Sequence, residues 1–298
     1  MADPSSTRLR QMLADPEKIV VCPGVYDGIS ARLALNAGFD ALYMTGAGTS
    51  MSRLGMADLG LATMTEMKNN AEMISNLDRS VPVIADADTG YGAPINVGRT
   101  VAAYIAAGVA AFHLEDQVVN KKCGHLAGKQ LVSKDEYLTR IRAAVEMRRR
   151  LQSDIIIIAR TDALQSLGLE EALVRLQAAV DAGADVAFLE AISTREQAEA
   201  VCRAFKDSSV PVMYGMVQGS KAYKMTPTEA KNMGFKIIVY AAVCLAPTFL
   251  SVSKALETLK EDGDCEKYGP EANPHRLFDA CGMQELLEFD RVSAGLLN

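Results

Sequence analysis

The chain has 298 residues, 49% of them hydrophobic and 23% charged, with a net charge of −6. That is enough apolar material for a large buried core, and an acidic balance without a basic run argues against a nucleic-acid partner. No run of about 18 apolar residues is present, so no membrane span is expected.

The start Met1-Ala2-Asp3-Pro4-Ser5-Ser6 lacks the charged-then-apolar pattern of a secretory leader. Six cysteines are scattered without pairing motifs. In a chain of this length they fit a reducing compartment, the cytoplasm or an organelle, better than a disulfide framework.

In chain order, short and nearly all-apolar runs predict strands over 19–22, 41–44, 81–85, 111–114, 155–159, 186–189, 210–214 and 237–240. Such runs suit parallel strands buried on both faces. Four of them follow a glycine (Gly38, Gly108, Gly183, Gly234) that ends a helical pattern. Helices are expected over 65–74, 134–151, 169–182 and 226–233. Strands alternating with helices make an α/β fold, and this strand count closes a (β/α)8 barrel. An open, doubly wound sheet is the alternative. The expected organisation is a catalytic barrel over 1–262 and a C-terminal helical extension over 263–298.

A barrel places its chemistry on the loops after each strand. Polar residues gather there: Tyr43, Thr45, Gly46, Ala47 and Asp58, then Asp86 and Asp88, Glu115 and Asp116, Arg160, and Glu190. Asp86 and Asp88 are two apart, so an extended chain points them to one side. Asp58, Asp86, Asp88 and Glu115 together suit a hard divalent cation such as Mg2+, although Asp is also common as a helix N-cap. Arg160 suits a carboxylate partner, or a structural pair with Glu190 or Asp162. The small residues Thr45 to Gly48 offer backbone N–H groups to an anionic oxygen. His113 reads equally as a core residue and as a ligand. Lys121-Lys122-Cys123-Gly124-His125 reads as a mobile loop carrying a thiol whose cationic neighbours favour the reactive thiolate, or as an idle surface loop.

That last motif resembles the signature of the isocitrate lyase and phosphoenolpyruvate mutase superfamily. Pro23 to Asp27, Tyr43 to Gly48, Asp86 to Gly92, Glu115-Asp116-Gln117, Ala159 to Asp162 and Glu229 to Phe235 agree with it, over about residues 18–260. The branch it most resembles holds oxaloacetate acetylhydrolase, 2,3-dimethylmalate lyase and petal death protein. The resemblance implies a barrel whose last helix is swapped between subunits in a homotetramer of paired dimers. It implies Mg2+ or Mn2+ held at Asp86 and Asp88, with Asp58 and Glu115 acting mostly through water. It implies small 2-hydroxy or 2-keto acid substrates contacted by Tyr43, Thr45, Gly46, Ala47, Asp86, Gly124, Arg160 and Glu190. Cys123 becomes a general acid tuned by Lys121 and His125, on a loop that closes over the site, with Glu115 and Arg160 also in the reacting machinery.

Two positions depart from the family. Gly215 stands where the lyases carry Asn, with no Thr-Pro pair until Thr226-Pro227. Ala241 stands where Pro, Thr or Ser helps distinguish lyases from oxaloacetate hydrolases. Gly215 and Ala241 are expected to leave room, and Tyr214, Tyr223 and Tyr240 to supply aromatic walls. The leading expectation is a metal-dependent carbon–carbon lyase acting on a substituted 2-hydroxy (di)carboxylate. The alternatives are an oxaloacetate hydrolase giving oxalate and acetate, and a barrel that only binds or assembles. Intact Asp86, Asp88, Glu115 and Cys123 speak against the last. Phosphonate chemistry is disfavoured by Cys123 on a lyase-type loop.

Overall fold

A computed structural model describes residues 4–264, 269 and 271–295. Residues 1–3, and 265–268, 270 and 296–298 of the expected extension, lie outside the described residues. The strands β1 (Val20–Val25), β2 (Leu42–Met44), β3 (Val83–Asp86), β4 (Ala111–Glu115), β5 (Ile156–Thr161), β6 (Val186–Leu189), β7 (Val212–Met216) and β8 (Ile237–Tyr240) pair in parallel. They close into one barrel in sequence order, β8 returning to β1. All eight expected strands are present, displaced by a few residues at their ends.

Side chains alternate strictly across the barrel wall, as strand geometry requires. One parity, with Tyr43, Ile84, Ala111, Ile156, Ile158, Phe188, Met213 and Val239, fills the interior. The other parity, with Met44, Ala85, Phe112, Leu114, Ile157, Leu189 and Tyr214, packs against the surrounding helices. The first helix, α1 (Ser5–Ala14), was not anticipated from its sequence. It plugs the N-terminal end of the barrel by adding Leu9 and Leu13 to the interior layer. It is tied down by Ser6 and Thr7 on the Asp154 carboxylate and by Arg10 on the Asp154 carbonyl at 2.9 Å.

The outer helices run α2 (Gly28–Asn36), α3 (Gly46–Leu54), α4 (Met64–Ser75), α5 (Pro94–Ala106), α6 (Lys134–Arg150), α7 (Leu164–Asp181), α8 (Arg195–Phe205) and α9 (Pro227–Met233). Their starts follow the capping rules: Thr63 with Glu66, and Thr226 with Glu229, form reciprocal capping boxes. Gly183 and Gly234 take φ of +107° and +114° between helix and strand, a conformation other residues adopt rarely.

The C-terminal part is α10 (Leu245–Asp262), α11 (Pro274–Ala280) and α12 (Met283–Ser293). The end of α11 meets α2 through Asn36 Nδ2 on the Ala280 carbonyl at 3.1 Å. Among the described residues α10 buries only Thr258. It leaves Phe249 70% and Leu250 65% exposed. No described helix is long and apolar enough to cross a membrane.

Candidate active site

Inward parity continues past the strand ends, and this builds the site. After the interior layer, the next inward positions are Thr45, Asp86 and Asp88, Glu115, Arg160, Glu190, Gly215 and Ala241. Thr45, Asp86, Asp88, Glu115, Arg160 and Glu190 are buried, and Asp58 joins them from the loop after α3. Asp88 sits at φ +46°, which Asp tolerates better than most residues. Its N–H donates to Asp86 Oδ1 at 2.9 Å, and its carbonyl accepts the Glu115 N–H at 3.0 Å.

Charge is poorly balanced in this ring. Burial pushes the Asp86 and Glu115 carboxyls up and raises Asp88 to about 6, although Lys121 or Arg160 opposes each rise. Lys121 Nζ lies 2.6 Å from both Asp58 Oδ1 and Asp88 Oδ1. Arg160 Nε lies 3.1 Å from Asp162, 3.2 Å from Glu115 and 3.9 Å from Glu190. Its guanidinium also stacks over Phe188, 5.6 Å from the ring centre. The acids outnumber the permanent cations Lys121, Arg160 and Lys129.

Among the described residues, no group of three or more His, Cys, Asp or Glu side chains is gathered as metal ligands. Lys121 stands between Asp58 and Asp88 instead. A hard divalent ion such as Mg2+ usually takes only one or two protein carboxylates. The adjacent Asp86 and Asp88, both under-compensated, fit that requirement.

The N-terminus of α3 faces the ring. Thr45 caps it, accepting the Gly48 N–H. A Cβ on Gly46 would lie 2.3 Å from Asp86 Oδ2, so only glycine permits this approach. His113 lies beneath, with Nε2 2.8 Å from the Tyr43 hydroxyl and Nδ1 3.5 Å from Asp86 Oδ1. Burial, then Arg160, lowers it to about 3. It is therefore a neutral core residue, hydrogen-bonded to Tyr43 beneath Asp86.

The segment 117–131, which the resemblance casts as a gate, lies against the site. Its stem is an antiparallel bridge between Gln117 and Leu131. Gln117 Nε2 donates to Glu115 Oε1 at 3.0 Å and to the Lys122 carbonyl at 2.8 Å, and its Oε1 accepts the Lys122 N–H. The Cys123 N–H meets the Asp58 carbonyl at 3.1 Å. His125 Nε2 lies 3.1 Å from Glu190 Oε1. Burial would raise the Glu190 carboxyl, but Arg160 and His125 outweigh it and hold it below the ordinary range. The Gly124 backbone rests on Arg160 and Glu190, since a Cβ there would lie 2.4 Å from Arg160 Nη2.

Cys123 behaves differently from a thiol activated by cations. Burial, then the Asp58 charge, pushes it up to about 11, while Lys121 opposes only weakly. It is protonated at neutral pH, which suits a proton donor and not a nucleophile.

The far side of the mouth also differs from expectation. Tyr214 has outward parity: its ring packs 5.1 Å from Phe235 and its hydroxyl donates to the Tyr223 carbonyl. Tyr223 and Tyr240 pack against the same outer layer. None of the three lines the interior. The aromatic wall is Phe188, whose ring would sit 3.1 Å from a Cβ at Gly215. Gly215 therefore admits the Phe188 ring and is not an open gap. At Ala241, β8 closes on β1 so tightly that a Cβ on Gly24 would meet the Ala241 carbonyl at 2.4 Å.

Parity marks Phe188 in the sequence, two residues before Glu190. Nothing local marks Gln117, Lys129 or Asp162 as gate partners. A cleft of about 610 Å3 adjoins the gate at His125, Ser193, Ser220 and Lys221. A larger one of about 780 Å3, lined by Leu13, Cys202 and Val210, is remote from the carboxylates.

Comparison with known proteins adds the family. The chain matches the phosphoenolpyruvate phosphomutase family over residues 9–260. It is 40% identical to 2,3-dimethylmalate lyase of Eubacterium barkeri over 260 residues, 87% of each chain. The solved structure of oxaloacetate acetylhydrolase with 3,3-difluorooxalacetate is similar with a TM-score of 0.94 at 49% identity, covering 98% of this chain and 97% of that one. A solved 2,3-dimethylmalate lyase is similar with a TM-score of 0.94 at 52% identity, covering 98% and 96%.

Proposed function

Because the chain belongs to the phosphoenolpyruvate mutase/isocitrate lyase superfamily of lyases, mutases and hydrolases, we propose that it is a carbon–carbon lyase acting on a substituted 2-hydroxy (di)carboxylate. The observation that carries this is the seating of Gly124 on Arg160 and Glu190, which holds Cys123 beside a buried carboxylate ring.

Asp86 and Asp88 are the residues that would hold Mg2+ or Mn2+, with Asp58 and Glu115 acting mostly through water. When bound, such an ion supplies Lewis-acid stabilisation of charge on substrate oxygens.

The rest of the chemistry belongs to the chain. The Gly46 and Ala47 N–H groups at the start of α3 receive a carboxylate oxygen, with the helix dipole favouring the negative charge. Tyr43 and His113 pair with each other beneath Asp86. Arg160 binds a carboxylate at the reacting end. Glu115, at the end of β4 beside Arg160, is the carboxylate that takes the 2-hydroxyl proton. The C2–C3 bond then breaks, the new carbonyl forms at C2, and the electron pair leaves on C3. The Cys123 thiol protonates C3, and the proton taken from the hydroxyl restores the thiol before the next turnover. The closed gate keeps water from the carbanion-like half. Phe188 and Gly215 give the far wall an apolar character, so the C3 substituent is less polar than a bare carboxymethyl group.

Similarity to oxaloacetate acetylhydrolase supports a second reading, in which water adds to the C2 ketone of oxaloacetate and the same bond breaks to oxalate and acetate. The test is a screen of 2-hydroxy and 2-keto acids with Mg2+ or Mn2+, read by mass spectrometry. Cleavage of a substituted 2-hydroxy acid supports the lyase; oxalate from oxaloacetate supports the hydrolase; turnover of neither refutes both. The exposed Phe249 and Leu250 on α10 support a helix-swapped homotetramer, and the free cysteines among the described residues support a cytoplasmic setting.

A further inference from the structure

Lys129 belongs to a loop, yet its side chain is only 1% exposed. A buried ammonium is costly unless it is paired and hydrogen-bonded. Its Nζ has two partners that lie far apart in sequence. One is the Gly124 carbonyl, within the gate. The other is Asp162 Oδ1 at 2.9 Å, on the barrel rim. Asp162 in turn accepts from Arg160, at 3.1 Å from Nε and 3.3 Å from Nη2. Asp162 is itself fully buried, and its backbone N–H is fixed at 2.8 Å by Asp116. One ammonium thus touches both the backbone next to Cys123 and the carboxylate that aims Arg160.

We propose that Lys129 is a positioning residue that latches the gate to the Asp162–Arg160 pair, so that gate closure and the alignment of Arg160 are one event. When the gate lifts, Lys129 leaves Asp162, and the carboxylate that pairs with Arg160 loses the second cation that fixes it. When the gate seats, the Gly124 carbonyl and Asp162 are drawn to the same ammonium. The site is therefore assembled only when it is sealed. Its consequence for turnover rests on the proposed cleavage chemistry, but the latch itself does not.

The test uses the full chain and needs no substrate. Iodoacetamide labelling of Cys123 is followed peptide by peptide, with exposed Cys281 as the internal control. The charges that act most on the Cys123 thiol are Asp58, Glu190 and Lys121, so a change on removing Lys129 reports exposure of the loop. Lys129→Met is expected to speed Cys123 labelling at least about tenfold, with Cys281 unchanged, because two buried charge-assisted bonds are lost. Hydrogen exchange is expected to rise over 118–131 and to stay constant over α6. If Lys129 acts through Asp162, the double variant Lys129→Met, Asp162→Asn labels no faster than Lys129→Met alone.

Unchanged Cys123 labelling in a folded Lys129→Met protein overturns the latch; so does a double variant whose rate is the product of the single effects. Should Lys129→Met fail to fold, Lys129→Gln, which keeps a donor but not the charge, is read by the same two criteria. With an acid from the screen, Lys129→Met is expected to lower kcat about a hundredfold while KM changes less than about threefold. A screen without turnover refutes the cleavage chemistry and leaves the labelling result to decide the latch.

Discussion

Replacing Gly124 by alanine tests how closely the gate must seat. Gly124 is not at a positive φ, so the added methyl brings no backbone strain. The whole effect is contact. The new Cβ would lie 2.4 Å from Arg160 Nη2, 2.6 Å from Glu190 Cγ and 2.7 Å from Glu190 Oε1. Ordinary carbon contacts need about 3.5 Å or more, so something must move by roughly 1 Å. Arg160 is held by buried Asp162 and Glu115, and Glu190 by Arg160 and half-buried His125. The gate has fewer ties and is the part that yields. A displacement of about 1 Å at a catalytic group costs on the order of 100-fold in rate. We therefore expect Gly124→Ala to melt within a few degrees of the native protein while losing about two orders of magnitude in kcat/KM. The assay pairs a thermal melt with turnover of the acid found by screening. Turnover within threefold of native would mean that the gate does not seat as described.

Other consequences can be checked directly. Labelling of Cys123 by iodoacetamide should keep rising from pH 8 toward about 11, the value to which burial pushes the thiol; a plateau already reached at pH 8 would contradict a buried proton donor. Asp116→Ala removes the acceptor of Thr161 Oγ1 at 2.6 Å and of Arg175 at 3.1 Å, leaving a buried guanidinium short of a partner. Denaturant unfolding should register a loss of about 3–5 kcal/mol, and a loss below about 1 kcal/mol would show that the cluster relaxes. Asp154 is lowered because bonds from Ser6 and Thr7 overcome its burial. A depressed carboxyl contributes stability above its unfolded pKa of about 4 and loses it as pH falls through the folded value. The gap in melting temperature between native protein and Asp154→Asn should therefore be widest near neutrality and narrow progressively as pH falls below about 4; a gap that does not narrow with acidification would refute that anchor for α1. Chelation by EDTA should abolish turnover, restored by Mg2+ or Mn2+, and full activity in chelator would remove the metal from the reaction.

Much of the site was legible because strand parity is a local property. Once β4 and β5 are recognised, Glu115 and Arg160 must face inward, two residues beyond His113 and Ile158. Asp86, Asp88 and Glu190 follow from the same count. That rule, carried through β7, also turns Tyr214 outward, where a reading by residue type alone made it a pocket wall. Phe188 was legible by the same count. The gate contacts were not. Lys129 meets Asp162 across 33 residues, and no periodicity encodes such a pair. The thiol was misjudged for a related reason. Its neighbours in sequence are cationic, but burial and Asp58 govern it in space. Helix α1 escaped notice because its apolar residues are few, and only the open end of the barrel gives Leu9 and Leu13 something to cover.

The most direct measurement is turnover of Cys123→Ser beside the native protein on each 2-hydroxy and 2-keto acid, with Mg2+ or Mn2+ present. Serine keeps the shape but is a far weaker acid, so loss of the proton donor should cut cleavage at least about a hundredfold. Native-like turnover in Cys123→Ser would take the thiol out of the chemistry, and with it the role assigned to the gate.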